Sequence, residues 1–243
     1  MWGWNTSPAH KRMQGLSART WAFGELLVPR QCAGCFGPGE VLCVQCRRHL
    51  RQVPYPVDRP RPLGAPVWAL GAYSEVRRNL IVAMKEHDNR AVRAHAGAVL
   101  AAAISFLQAR GDIPAGLGLD LVPAPTRVRS ARKRGGDPVA ALCHHAAVRL
   151  PGVEVAECLV LAGSAADQST LTGEGRWANM HGAVRFSPSG SHGGGAHHPH
   201  DMRGHNVLLV DDVITTGATV AAAIAALRTS GALVCGVLVL ADA

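Results

Sequence analysis

The period of apolar positions changes several times along the chain. Val76, Leu80, Ile81 and Met84 recur at helical spacing, and Val92, Ala96, Val99, Ala103, Ile104 and Leu107 do so again, so two successive helices are predicted. Asp137 followed by Pro138 has the form of an N-cap and first helical residue, for a helix reaching residue 149. Residues 219–230 predict a last helix. Apolar segments at 67–73, 119–122, 153–161, 182–186, 207–210 and 233–240 predict strands, and the unbroken run Val207, Leu208, Leu209, Val210 suits a parallel strand buried on both faces. Strands alternating with helices predict an α/β fold built on a parallel sheet.

A chain of 243 residues with 48% hydrophobic content holds one α/β domain plus a small appendage. There is no uninterrupted run of about 18 apolar residues. The N-terminus lacks a charged-then-apolar pattern, so a cytoplasmic protein without membrane insertion is expected. Three segments are expected. Residues 1–29, with Trp2, Trp4 and Trp21, form an arm; residues 30–66 hold a cysteine cluster and a linker marked by Pro54, Pro56, Pro60, Pro62 and Pro66; residues 67–243 form the main domain. Within the last, residues 187–205 are rich in Gly, Ser, Pro and His and read as a flexible insertion whose histidines have no fixed metal geometry.

The net charge of +8 is local. Residues 1–66 carry nine Lys and Arg against three acids, and residues 127–134 add Arg127, Arg129, Arg132, Lys133 and Arg134 with no acid among them. The rest of the chain is mildly acidic. The two basic segments are therefore the surfaces suited to polyphosphate or nucleic acid.

Cys32 and Cys35 form one CxxC pair, and Cys43 and Cys46 form another close behind it, with Gly34, Gly37 and Gly39 around the turn. Two such knuckles bring four thiolates to one tetrahedral ion, so a structural zinc site is predicted. Metal binding in small modules supplies on the order of 10 kcal/mol of folding free energy, and a short arm with little core needs it. A thioredoxin-like pair would follow a strand, and paired disulfides would suit a secreted chain; neither context is present. Cys143, Cys158 and Cys235 stand singly in apolar surroundings and read as core thiols.

The segment 207–219, VLLVDDVITTGAT, concentrates the chemistry. Asp211 and Asp212 would emerge at the carboxyl end of a strand, where ligands of parallel sheets sit, as acceptors for vicinal ribose hydroxyls and as ligands for a cation of the Mg²⁺ type. Thr215, Thr216, Gly217, Ala218 and Thr219 then offer hydroxyls and closely spaced N–H groups before a helix, a place for a phosphate. A receiver-domain reading of VLLVDD requires more βα units than the 31 residues after Asp212 supply. No GxxxxGK[ST] loop occurs, and no GxGxxG follows a predicted strand.

DDVITTGAT resembles the motif by which type I phosphoribosyltransferases bind 5-phosphoribosyl-1-pyrophosphate (PRPP). The resemblance implies that Asp211 and Asp212 are the catalytic acidic pair at the ribose hydroxyls and that Thr215 to Thr219 wrap the 5'-phosphate. The Thr215–Thr216 version is closer to orotate-type loops than to purine-type loops, which place an aspartate where Thr215 stands.

The order of features extends the resemblance to the ComF family of competence-associated, phosphoribosyltransferase-like proteins. Tyr73, Ile81 and Lys85 match one of its segments; Pro123, Pro125, Arg129, Arg132, Arg134 and Gly135 match a second; Gln168, Leu171, Arg176 and Asn179 match a third. The chain departs from the family's RGFNQ at residues 134–138, which read Arg-Gly-Gly-Asp-Pro. The resemblance implies a type I phosphoribosyltransferase-like sheet flanked by helices with a small N-terminal zinc-binding module. It implies Mg²⁺ and PRPP as ligands, Pro125, Thr126, Arg127, Arg132, Arg134 and Lys85 around pyrophosphate, and Arg176 and Asn179 on the acceptor side. The alternative it carries is a weakly catalytic or non-catalytic protein that binds nucleotide or single-stranded DNA during DNA uptake or processing.

Overall fold

A computed structural model of the chain describes residues 31–86, 89–116, 118–126, 136–161, 183–188 and 201–243. The helices are α1 (Val44–Leu50), α2 (Glu75–Glu86), α3 (Arg90–Arg110), α4 (Pro138–Ala147) and α5 (Ala218–Thr229). The strands are β1 (Tyr55–Pro56), β2 (Val67–Ala69), β3 (Leu119–Pro123), β4 (Val153–Val155), β5 (Leu159–Leu161), β6 (Val184–Phe186), β7 (Asn206–Ile214) and β8 (Leu233–Asp242). Six of these strands form one sheet in the order β1-β2-β8-β7-β3-β4, parallel except for β1, which runs antiparallel at the edge. Helices flank it, and a four-cysteine module sits at the N-terminal end of the described chain. This is the α/β architecture the hydrophobic pattern predicts.

Central strands are buried on both faces because alternate residues enter two different cores. Leu208 and Val210 of β7, with Leu238 and Leu240 of β8, join α2, α3 and α4 on one face. Val207, Leu209, Val237 and Val239 join α5 and the small β5-β6 hairpin on the other. The 20 residues Ala91–Arg110 are long and apolar enough, by length and composition, to cross a bilayer, which counting uninterrupted apolar residues does not register. Half of that stretch is buried inside the fold, where Val92, Ala96, Leu100, Ile104 and Leu107 face the first core. It is a core helix here.

Several boundaries differ from the sequence reading, among them β2, which ends at Ala69 where the apolar pattern predicts a strand to residue 73. β7 continues four residues beyond Val210, since Asp211, Val213 and Ile214 pair with Val239, Ala241 and Asp242 of β8. The single strand expected over 153–161 is two strands in two sheets, because the Ala156 N–H makes a last bond to Leu121 and Glu157 then turns to His144 Nε2, at 2.9 Å. The proline-rich segment is also part of the fold. Tyr55 and Pro56 pair with Ala69 and Trp68, and Val57 and Leu63 enter the second core. Likewise the cysteine module shares the first core, placing Cys32, Leu42, Cys46 and Leu50 against Leu80, Ile81 and Met84 of α2.

Candidate functional site

The crossovers leaving β3 and β7 go to opposite faces of the sheet. From β3 the chain passes through α4, in the first core, to β4; from β7 it passes through α5, in the second core, to β8. β3 and β7 are neighbours, with Pro123 opposite Val210. A crevice therefore opens beyond their carboxyl ends, at a topological switch point, the place where open parallel sheets hold ligands.

Asp211 and Asp212 lie on one side of that crevice, inside the last turn of strand pairing. Each carboxylate folds forward along its own backbone: Asp211 Oδ1 accepts the N–H of Asp212 at 2.8 Å, and Asp212 Oδ1 accepts the N–H of Val213 at 2.8 Å. Asp212 Oδ2 is buried and forms an ion pair with the Lys85 ammonium group from the end of α2. No described N–H or O–H reaches that oxygen with hydrogen-bond geometry. It is an acceptor already served by a cation and open to a better-placed one. Burial, and then the charge of Asp212, hold the Asp211 carboxyl well above the usual carboxylate range, against the opposing pull of the Asp212 N–H and Lys85. An incoming positive charge would oppose that rise.

The hydroxyl-rich loop follows directly. Gly217 has φ +78° and forms the left-handed N-cap of α5, and the Thr216 hydroxyl accepts the Ala218 N–H at 3.4 Å. The helix of twelve residues therefore starts, with its unpaired first-turn N–H groups, just after the carboxyl end of β7. A Cβ on Gly217 would stand 2.7 Å from Leu63 Cδ2, so the proline-rich segment packs directly on this loop. Nearby, Arg59 pairs with Asp242 and donates to Ile214 O at 3.2 Å, tying the same segment to the end of β7.

Across the crevice, Ala124 donates to Val210 O and Pro125 and Thr126 continue outward from β3. The Thr126 hydroxyl donates to Asp137 Oδ2, while Asp137 Oδ1 accepts the Val139 and Ala140 N–H groups at 2.8 and 3.2 Å. Asp137 caps α4 as its sequence context predicts, and the bond to Thr126 joins the two ends of the arginine-rich segment. Arg127, Arg132, Arg134, Arg176 and Asn179 lie outside the described residues, as do four of the five histidines in 187–205. The fifth, His205, pairs with Asp120 at 2.8 Å.

The four cysteines converge. The Sγ atoms of Cys32, Cys35, Cys43 and Cys46 all lie within 4.8 Å of one another, and Cys35 and Cys43 are 3.8 Å apart. Four thiolates at about 2.3 Å from a tetrahedral zinc ion are separated by roughly that distance. Burial pushes the Cys32 thiol up, but N–H bonds from Cys43, Cys35 and Gly34 outweigh it and bring it down to about 6, so this sulfur is ready to ligate as thiolate. A Cβ on Gly34 would meet Cys46 Sγ at 2.7 Å, which explains the glycine inside the first knuckle. The donor set fits zinc.

Arg59 and Leu63 were not signalled in the sequence as site residues, because a proline-rich stretch announces a connection and gives no register. The same holds for Arg77 and Asn79, polar residues buried on the inner side of α2.

Residues 156–243 match the phosphoribosyl transferase domain family. That match covers β5 through β8, including the acidic pair and the loop after it. No curated protein matches the chain. Among solved structures, orotate phosphoribosyltransferase of Mycobacterium tuberculosis H37Rv, in complex with Fe(III) dicitrate, is 21% identical, with 82% of each chain covered and a TM-score of 0.35. Adenine phosphoribosyltransferase of Rhodothermus marinus DSM 4252 is 17% identical over 82% of this chain and 88% of that one, with a TM-score of 0.31. Adenine phosphoribosyltransferase of Saccharomyces cerevisiae is 13% identical over 83% and 90%, with a TM-score of 0.34.

Proposed function

We propose that this chain is a PRPP-binding, Mg²⁺-dependent phosphoribosyltransferase-like protein that passes the phosphoribosyl group to an acceptor and releases pyrophosphate. The observation that carries the reading is the crevice between β3 and β7, flanked by the acidic pair and the Gly217 helix start, both of which fall in the segment that matches the phosphoribosyl transferase domain. In it, Asp211 and Asp212 accept the ribose hydroxyls and Thr215 to Thr219 hold the 5'-phosphate. Pro125, Thr126, Arg127, Arg132, Arg134 and Lys85 attend the pyrophosphate, and Arg176 and Asn179 line the acceptor side.

The bond from C1 to pyrophosphate breaks as the bond to the acceptor forms, so negative charge collects on the leaving group and positive charge on the ring. Cationic side chains around the first and carboxylates near the second act where those charges develop. Mg²⁺, when bound, would neutralise charge on the leaving pyrophosphate, and the Asp212 oxygen that Lys85 now faces fits such a cation. Zinc on Cys32, Cys35, Cys43 and Cys46 is closed and structural. The reading places the chain in the cytoplasm, where thiols stay reduced.

Calorimetry with PRPP and Mg²⁺ tests this: binding by the wild type and at least tenfold weaker binding by Asp211→Asn/Asp212→Asn are expected, with pyrophosphate release once an acceptor is supplied. Equal affinity in both proteins would overturn the site. A second reading, a nucleotide-binding protein that holds single-stranded DNA on the cysteine module, is favoured by an exposed aromatic, Phe36, and by the basic residues Arg47, Arg48 and Arg51 in the same module. Fluorescence anisotropy with labelled oligonucleotide would then show affinity falling steeply with salt.

A further inference from the structure

The cysteine module is joined to the acidic pair through one helix. Asn79 Nδ2 in the middle of α2 donates to Gly34 O of the first knuckle at 3.0 Å, and both groups are buried. Two residues earlier Arg77 donates to His49 O at the end of α1, at 3.3 Å, and to Gln52 Oε1 at 3.0 Å; His49 Nε2 and the Ser74 hydroxyl are 2.8 Å apart. Leu42, Cys46 and Leu50 pack on Leu80, Ile81 and Met84 of the same helix. At the helix's far end, six residues beyond Asn79, Lys85 meets Asp212.

A helix of twelve residues is stiff along its axis at about 1.5 Å per residue. A movement of the module against the sheet must therefore appear at Lys85. We propose that the four-cysteine module is a strut that sets the position of α2 and so holds Lys85 at the acidic pair, with Asn79 as the positioning residue between them. Metal occupancy would then govern where a cation stands in the crevice, although no cysteine touches it. The ligand consequence rests on the function proposed above; the strut itself rests only on the contacts named here.

The chain has three lysines, Lys11, Lys85 and Lys133, so lysine-selective acylation reads Lys85 against two internal controls. The full-length protein is acylated at limiting reagent with zinc bound, after chelation and after zinc is restored, and modification is quantified peptide by peptide. Chelation should raise the Lys85 rate about tenfold by loosening a charge-assisted contact, zinc should restore it, and Lys11 and Lys133 should keep theirs. Asn79→Ala, with zinc still bound, should give the same increase. Asp212→Asn should give the full increase alone, with no further effect of chelation.

An unchanged Lys85 rate after chelation and in Asn79→Ala, while Asp212→Asn raises it, would overturn the strut. If chelation unfolds the sheet, the zinc-loaded Asn79→Ala and Ser74→Ala proteins decide the question. PRPP affinity is the second readout: Lys85→Met and Asn79→Ala should each weaken it by a similar factor, and the double variant no more than either. Additive losses would mark Asn79 as merely structural. Absence of PRPP binding in every protein, with the acylation pattern intact, would remove the proposed function and leave the strut standing.

Discussion

Leu63 covers the backbone of Gly217, so a segment that reads as a linker forms part of the wall behind the proposed phosphate loop. Gly217→Ala would force a side chain into a left-handed backbone and against Leu63. A loss of about 1–2 kcal/mol is expected, read from urea unfolding. Adding Leu63→Ala should return the steric part of that loss and leave the backbone part.

Asp211 makes a pH prediction with a definite sign. The folded chain holds its proton above the pH at which the unfolded chain releases it, so the native state binds more protons in that interval. The contribution of this group to stability is fully present below the ordinary carboxylate range and is lost as pH rises through the raised value. Asp211→Asn should flatten this slope in urea midpoints measured from about pH 4 to pH 8. By the same linkage, Mg²⁺–PRPP binding should release a proton, seen as a buffer-dependent heat.

Arg77 is 1% exposed, and burial pulls its pKa down. Its Nη groups donate to the carbonyls of Leu70, His49 and Leu240, so the charge is held by backbone dipoles at the meeting of module, helix and sheet. Arg77→Met would leave those carbonyls unpaired. Destabilisation of about 3 kcal/mol or more is expected in thermal or chemical unfolding, and Arg77→Lys should recover little, because one ammonium cannot span the same oxygens.

Gly34→Ala should expel zinc, since the added carbon would stand 2.7 Å from Cys46 Sγ. Zinc content measured on the purified chain should fall well below that of the wild type. Cys46→Ser should do the same and expose the buried face of α1, reported by faster hydrogen exchange over residues 44–50.

The hydrophobic periods located α2, α3 and the central strands because those elements bury a regular stripe or a continuous run. Asp137–Pro138 announced the start of α4 by cap chemistry alone, and the two CxxC pairs announced a convergence that depends on local spacing. What escaped notice depends on long-range partners. The ladder beyond Val210 exists because β8 continues beside it, so two aspartates that read as a strand end are inside a strand. Tyr55–Pro56 is too short and too rich in proline to signal a strand before β2 is known to lie next to it. Asn79 and Arg77 look like polar interruptions of an amphipathic helix until the module above them is in place. Lys85 is singled out only by a resemblance, and its partner Asp212 stands 127 positions away with no spacing rule to connect them.

The short antiparallel strand at the sheet margin has a further consequence. Pro54 and Pro56 have no N–H to offer a newcomer, and the strand they frame spans two residues. The opposite margin, β4, spans three. An apolar sheet of this kind would otherwise invite growth by stacking copies side to side. Among the described residues neither border of the six-stranded sheet gives an extended chain a template long enough to hold it, a device against fibrous assembly.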